Sequence, residues 1–385
     1  MEARPPHPLA PPPLSPEPKR KTSALSFALN ALGGAAVGGG ATWFVLQHLD
    51  LDGLGALALF VFFLVSVWLH IVIHEAGHAL AGLAGGLKPV AFGVGPLRME
   101  RGADAWHFRW GGSVAGISGF ALLLPATDAV PRRREQALYL LGGPLANLAT
   151  AAVALPLALA APPGLAMIAG FAFAAAGLLI GLINLVPFKT AGWLSDGAGL
   201  VLLRRDPAAA MDGFRVQQIV QASMEGRRPR DWPLTLLPER ALPAVDTDAP
   251  MALADVSLRL SAAIDRGDVE QARRYAGWMA ARWPHAEGQE RDGTALSMAV
   301  HAAVVEDDLE LLRAWRALAR GGLLDQTCHE AWLDAEIARR EGRIDDARQL
   351  AAKARGALPR VHDGGTRTAV AERLDALDAR LTASM

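Results

Sequence analysis

The chain has 385 residues, of which 51% are hydrophobic and 20% charged, with a formal net charge of −1. A mean hydropathy of +0.21 is too high for an ordinary soluble protein and suits a membrane segment joined to a soluble one. The balanced charge argues against a nucleic-acid partner, and a single cysteine, Cys328, excludes an internal disulfide and a cysteine-rich metal site.

Residues 1–23 read as a Pro-rich arm, with Pro11-Pro12-Pro13 and no apolar periodicity, expected to be disordered and cytoplasmic. Lys19-Arg20-Lys21 leads into the apolar stretch Ala24–Leu46. This layout resembles a signal peptide, with Gly38-Gly39-Gly40-Ala41 near a cleavage site. The long Pro-rich lead and the full spanning length favour a retained transmembrane helix. A second apolar run covers 54–83. The link before it, Gln47 to Asp52, holds no Lys or Arg, whereas Lys88, Arg98, Arg101, Arg109 and Arg132-Arg133-Arg134 follow it. By the positive-inside rule the N-terminus and the region after the second run are cytoplasmic, with Asp50 and Asp52 outside.

The second run ends in His74-Glu75-Ala76-Gly77-His78. On a helix, His74 and His78 fall on one face one turn apart, so both imidazoles can reach one Zn²⁺, with Glu75 as general base on a metal-activated water. Ionisable residues within a span cost about 2.5–3.5 kcal/mol each, so their presence calls for a function. His70 lies on the same face, one turn earlier. Eight residues separate it from His78, roughly 12 Å along the axis, too far for one shared ion, which gives it a cavity-lining or ligand-supporting role.

Residues 87–126 read as a membrane-associated β-hairpin. Val90, Phe92 and Val94 alternate, as do Trp106, Phe108 and Trp110, with Gly102-Ala103-Asp104 between them as the turn. The stretch from Ser118 to Pro125 either adds a strand or dips into the interface. The aromatic side suits interfacial anchoring, and a free sheet edge suits capture of an unwound peptide. A third span near 137–160 contains Gly142-Gly143-Pro144-Leu145-Ala146-Asn147, where small residues permit close helix approach and Pro144 frees a carbonyl. A fourth span near 165–186 runs into Asn184-Leu185-Val186-Pro187, then Asp196-Gly197 and the basic pair Arg204-Arg205.

Residues 24–206 are therefore read as the membrane domain, and 207–250 as a juxtamembrane helix and Pro-rich linker. Arg227-Arg228-Pro229-Arg230 in that linker suits either anionic lipid or solvent. Residues 251–385 have helical periodicity, with Gly267–Ala272 and Gly342–Ala347 sharing a Gly-x4-Ala form and Asp307–Leu312 as a degenerate copy. This predicts a soluble domain of helical hairpins resembling tetratricopeptide repeats, suited to a protein partner. The fold class is thus mainly α, a polytopic membrane domain of about four spans followed by a helical-hairpin domain.

Two histidines need a third protein ligand if one position is to remain for water. Glu100 is the nearest downstream glutamate. Asp196 is the stronger candidate, because it follows the fourth span on the same side as the histidines.

His74-Glu75-Ala76-Gly77-His78, Gly143-Pro144-Leu145-Ala146-Asn147 and Asn184-Leu185-Val186-Pro187 with Asp196-Gly197 occur in this order on three successive apolar segments. The arrangement resembles the site-2 protease family of intramembrane zinc metalloproteases over roughly residues 54–200. The resemblance implies one Zn²⁺ held by His74, His78 and Asp196, Glu75 as base, and Asn147, Asn184 and Pro187 as substrate-positioning residues. It implies a multi-pass protein in the bilayer that cuts a transmembrane segment of another membrane protein. The chain departs from the family in the link from Pro187 to Asp196, which is stretched to eight residues. The competing readings are a prenyl-peptide type of membrane protease with a glutamate as third ligand, and a catalytically silent scaffold that binds partners through its C-terminal helices.

Overall fold

A computed structural model describes residues 7–12, 53–101, 105–110, 118–129, 132–190, 193–237, 241–247, 251–286, 288–320 and 324–383. The span expected near 24–46, the rest of the Pro-rich arm, and Asp50 and Asp52 lie outside them. The described residues form twelve α-helices, of which three are long and apolar enough to cross a membrane: α1 (Gly53–Ala84), α2 (Arg133–Ala160) and α3 (Leu165–Leu185).

The first of these is apolar outside and polar inside. Leu54, Phe60, Leu64 and Trp68 are exposed, while Ser66, His70, His74 and His78, each four residues after the last, are buried. This inverted amphipathicity is compatible with hydrocarbon surroundings. α1 and α2 touch backbone to backbone: a Cβ on Gly77 would lie 2.3 Å from the Gly142 carbonyl oxygen. Small residues at this crossing let the two helices approach closely enough to share one site.

Between α1 and α2 the chain forms four antiparallel strands, β1 (Lys88–Val94), β2 (Leu97–Arg101), β3 (Trp106–Trp110) and β4 (Gly119–Leu124), ordered β3-β2-β1-β4. The expected hairpin is therefore part of a larger sheet. The stretch after Ser118 is a strand, paired to β1 with a register shift between Pro89 and Ala91, where proline interrupts the ladder. Phe108 and Trp110 of β3 are exposed, while Ala121, Leu123 and Leu124 of β4 are buried. β4 is thus a sheet edge that lies along α1.

After α3 a short hairpin, β5 (Lys189–Thr190) and β6 (Trp193–Leu194), leads into α4 (Asp196–Arg205) and α5 (Pro207–Met224). The segment expected to be a linker, 226–250, is folded where it is described. Trp232 and Leu237 bury against Val216 and Ile219 of α5, because the segment carries enough apolar surface to leave water. Arg228, grouped by the sequence with lipid-facing or solvated residues, is ion-paired to Asp265 at 2.8 Å and also to Glu372.

Three helical hairpins follow: α6 (Ala252–Arg266) with α7 (Val269–Arg282), α8 (Gly288–His301) with α9 (Leu309–Arg316), and α10 (Thr327–Arg340) with α11 (Ile344–Ala357). α12 (Gly364–Ala383) closes the array. The three repeat positions read from the sequence all occupy the left-handed turn of a hairpin, with φ 73° at Gly267, 49° at Asp307 and 78° at Gly342. Glycine takes this conformation without a Cβ penalty, and aspartate tolerates it better than most residues. Five residues on, Ala272, Leu312 and Ala347 are fully buried. Cys328 is buried in this core, as its small size suggests.

Residues 7–12, expected to be part of a free arm, are docked. The Leu9 carbonyl accepts a hydrogen bond from Trp315 Nε1 at 2.8 Å, and its side chain packs on the helical core. The helical array also touches the sheet: buried Glu100 of β2 accepts from Arg109 Nη2 at 2.6 Å and from His362 Nε2 at 2.8 Å.

Candidate metal centre

Two helices far apart in sequence, α1 with His74 and His78 and the start of α4 with Asp196, bring the three residues together. His74 Nε2 lies 3.1 Å from His78 Nε2 and 3.2 Å from Asp196 Oδ2, and His78 Nε2 lies 3.4 Å from Asp196 Oδ1. A tetrahedral metal with bonds of about 2.0–2.1 Å spaces its ligand atoms roughly 3.3 Å apart, so this group has the dimensions of a metal cradle. Asp196 Oδ2 is buried without a hydrogen-bond partner, an orphan acceptor that a cation would satisfy. These residues can hold a metal ion.

Each ligand is positioned by a specific neighbour. His78 Nδ1 donates to the Tyr139 carbonyl at 2.7 Å, which leaves the Nε2 lone pair facing the cradle. Gly143 leaves the space into which both imidazoles lean, since a Cβ there would come within 2.4 Å of His78 Nε2. Asp196 starts α4, and Gly197 lets that helix start touch the end of α3: a Cβ on Gly197 would sit 2.0 Å from the Leu185 carbonyl oxygen.

The stretched link between Pro187 and Asp196 reaches the cradle because it folds on itself. Ser195 Oγ donates to the Val186 carbonyl at 2.7 Å and accepts from the backbone N–H of Phe188 and of Ala198, both at 3.1 Å. One hydroxyl thus clasps the β5–β6 hairpin and caps α4. The sequence reading missed Ser195, although Ser immediately before an acidic first turn is a helix-start signal.

Asn147 and His70 take roles that the sequence only partly anticipated. Both are fully buried. The Asn147 amide bridges two imidazoles, with Oδ1 3.1 Å from His70 Nδ1 and Nδ2 3.1 Å from His74 Nδ1. His70 Nε2 lies 3.0 Å from the Phe173 carbonyl oxygen, which can only accept, so Nε2 carries the proton. A neutral His70 then presents Nδ1 as an acceptor and needs the amide NH₂. A half-turn of the amide, which exchanges its oxygen and nitrogen, meets that need. It also aims the amide oxygen at His74 Nδ1–H and frees His74 Nε2 for a metal. Asn147 thus stands as a support for His74, with each of its amide atoms facing one imidazole. Asn147→Leu is expected to lower metal affinity about 10–100-fold, measured by competition with a chelator; unchanged affinity would remove this role.

A cavity of about 320 Å³ opens beside the cradle, lined among others by His74, Glu75, Gly119, Asn184, Trp193 and Ser195. Glu75 sits against β4, where a Cβ on Gly119 would come within 2.9 Å of its carboxylate. Asn184 donates to the Ile180 carbonyl at 2.9 Å while lining this cavity. Pro187 is exposed and does not line it; it ends α3. Glu100, the other candidate ligand, is held by Arg109 and His362 and is not in the cradle. No protein-family model, curated protein or solved structure matches the chain.

Proposed function

We propose that the chain is an intramembrane zinc metalloprotease of the site-2 type, hydrolysing a peptide bond in or near a transmembrane segment of another membrane protein. The observation that carries this reading is the convergence of two imidazole nitrogens and one carboxylate at 3.1–3.4 Å, on apolar helices, with Glu75 in the adjoining cavity. An N, N, O set of tetrahedral dimensions suits zinc, with a fourth position for water. Bound there, zinc would supply a water acidified toward neutrality and polarise the scissile carbonyl.

The chain's own residues supply the rest. Glu75 accepts the proton of the attacking water and returns it to the leaving amide nitrogen. A helical substrate hides its carbonyls in its own hydrogen bonds and must unwind before attack. The edge strand β4, with Gly119 against Glu75, offers backbone groups on which an unwound segment can pair.

Leu9 rests on Trp315 of the C-terminal array, which supports a reading in which the two lie on one side of the bilayer. The basic residues that follow α1 support a cytoplasmic placement of that side. Reconstituted in liposomes with a panel of single-span proteins, the chain is expected to cut one within or beside its apolar segment. Chelation should stop the cutting and added zinc should restore it. Purified protein that binds no zinc would overturn the reading and leave the scaffold alternative.

A further inference from the structure

A cavity of about 120 Å³ lies within the C-terminal array, between α6, α8, α10 and α12, with room for roughly four waters at ~30 Å³ each. Arg373 and His329 line it together with the hydroxyls of Ser261, Ser297 and Thr366, and aliphatic side chains of α6 and α8 form the remaining wall.

Among the described residues, no hydrogen bond or ion pair reaches the Arg373 guanidinium. It lies over Trp332, with Cζ 5.5 Å from the ring centroid, a cation–π contact that uses no N–H donor as a hydrogen bond. The nearby carboxylates are committed elsewhere. Asp265 is held by Arg228 at 2.8 Å and by the Arg230 N–H at 3.1 Å, and Glu372 also pairs with Arg228. Burial, reinforced by the charge of Arg373, pushes the His329 imidazole down to about 4, so it is neutral at pH 7. Its Nδ1 is buried without a partner. The three hydroxyls also have no partner among the described residues, whereas Thr294 and Thr368 bond the carbonyls of their preceding turns.

The half-buried guanidinium is bonded to no anion among the described residues, and the hydroxyls beside it lack an acceptor there. We propose that this cavity binds a carboxylate, that of a small organic acid or of a peptide C-terminus. The planar fork of Arg373 faces the two carboxylate oxygens, the hydroxyls of Ser261, Ser297 and Thr366 add donors, and the aliphatic wall takes the attached chain. One guanidinium calls for a monoanion, and the volume admits a short acid or a chain end but not a nucleotide. The site is independent of the metal centre, so it stands or falls separately from the protease reading.

The test is isothermal titration of the full-length, detergent-solubilised protein with propionate and with propionamide. Propionate is expected to bind once per chain and at least tenfold more tightly than the amide, and Arg373→Met should weaken it at least tenfold. Should that variant lose its helical circular dichroism, Ser297→Ala carries the test, with a three- to tenfold loss expected. A pentapeptide with a free C-terminus that binds more tightly than propionate, and loses binding when amidated, identifies the source as a protein end. Binding of propionate alone identifies a small acid. No binding, equal binding of acid and amide, preference for inorganic phosphate, or variants that bind as the parent does would each overturn the proposal.

Discussion

Glu75→Gln is expected to abolish measurable proteolysis while leaving one zinc per chain in place. Glu75 is outside the group of ligand atoms but lines the cavity next to His74, and its carboxylate packs against the space left by Gly119. Glutamine keeps the shape and the packing and removes only the ability to take a proton. Loss of a positioned general base costs about 10²–10⁴ in rate. Cleavage by reconstituted protein, paired with metal analysis of the same sample, measures both halves. His78→Ala should differ by losing the metal as well, since it deletes a ligand. Undiminished cleavage by Glu75→Gln would sink the mechanism, and loss of zinc in that variant would make Glu75 a ligand instead of a base.

The second large effect is expected from one methyl group. Gly197→Ala would place a Cβ 2.0 Å from the Leu185 carbonyl oxygen and 2.4 Å from its carbon, backbone atoms that have no side-chain torsion with which to give way. The start of α4 must then shift off the end of α3 and carry the Asp196 carboxylate with it. Overpacking of this kind costs about 1–3 kcal/mol. A displaced ligand should lower zinc affinity on the order of 10–100-fold. Gly199→Ala is the control, because its Cβ meets only the Leu140 side chain, at 3.1 Å, which can turn aside. If Gly197→Ala binds zinc as the parent does, Asp196 is not delivered to the cradle by this contact.

Local features were legible in the sequence. The His74–Glu75–His78 spacing puts both imidazoles on one face of one helix whatever surrounds it, because a period of 3.6 residues puts positions four apart on one face. The repeat positions Gly267, Asp307 and Gly342 were readable for the same reason. A left-handed turn is a property of one residue and its neighbours, and all three adopt it.

What the sequence could not give depends on groups distant along the chain. A hairpin was expected where four strands form, since pairing of β4 with β1 across the intervening strands has no local signature. Nothing in the segment of Asn147 reveals that His70 and His74 flank its amide from α1. The docking of Leu9 on Trp315, and the commitment of Asp265 and Glu372 to Arg228 and not to Arg373, are likewise contacts between segments that local pattern does not connect.

The sequence by itself determined the apolar helices, two of the three residues of the candidate metal cradle and the glutamate beside them, because helical periodicity acts within one segment. Only the tertiary structure decided whether Asp196 meets them, through the Ser195 clasp and the glycine contact beneath it. Bringing Asp196 to His78, 118 positions earlier in the chain, is a matter of packing that no local preference encodes.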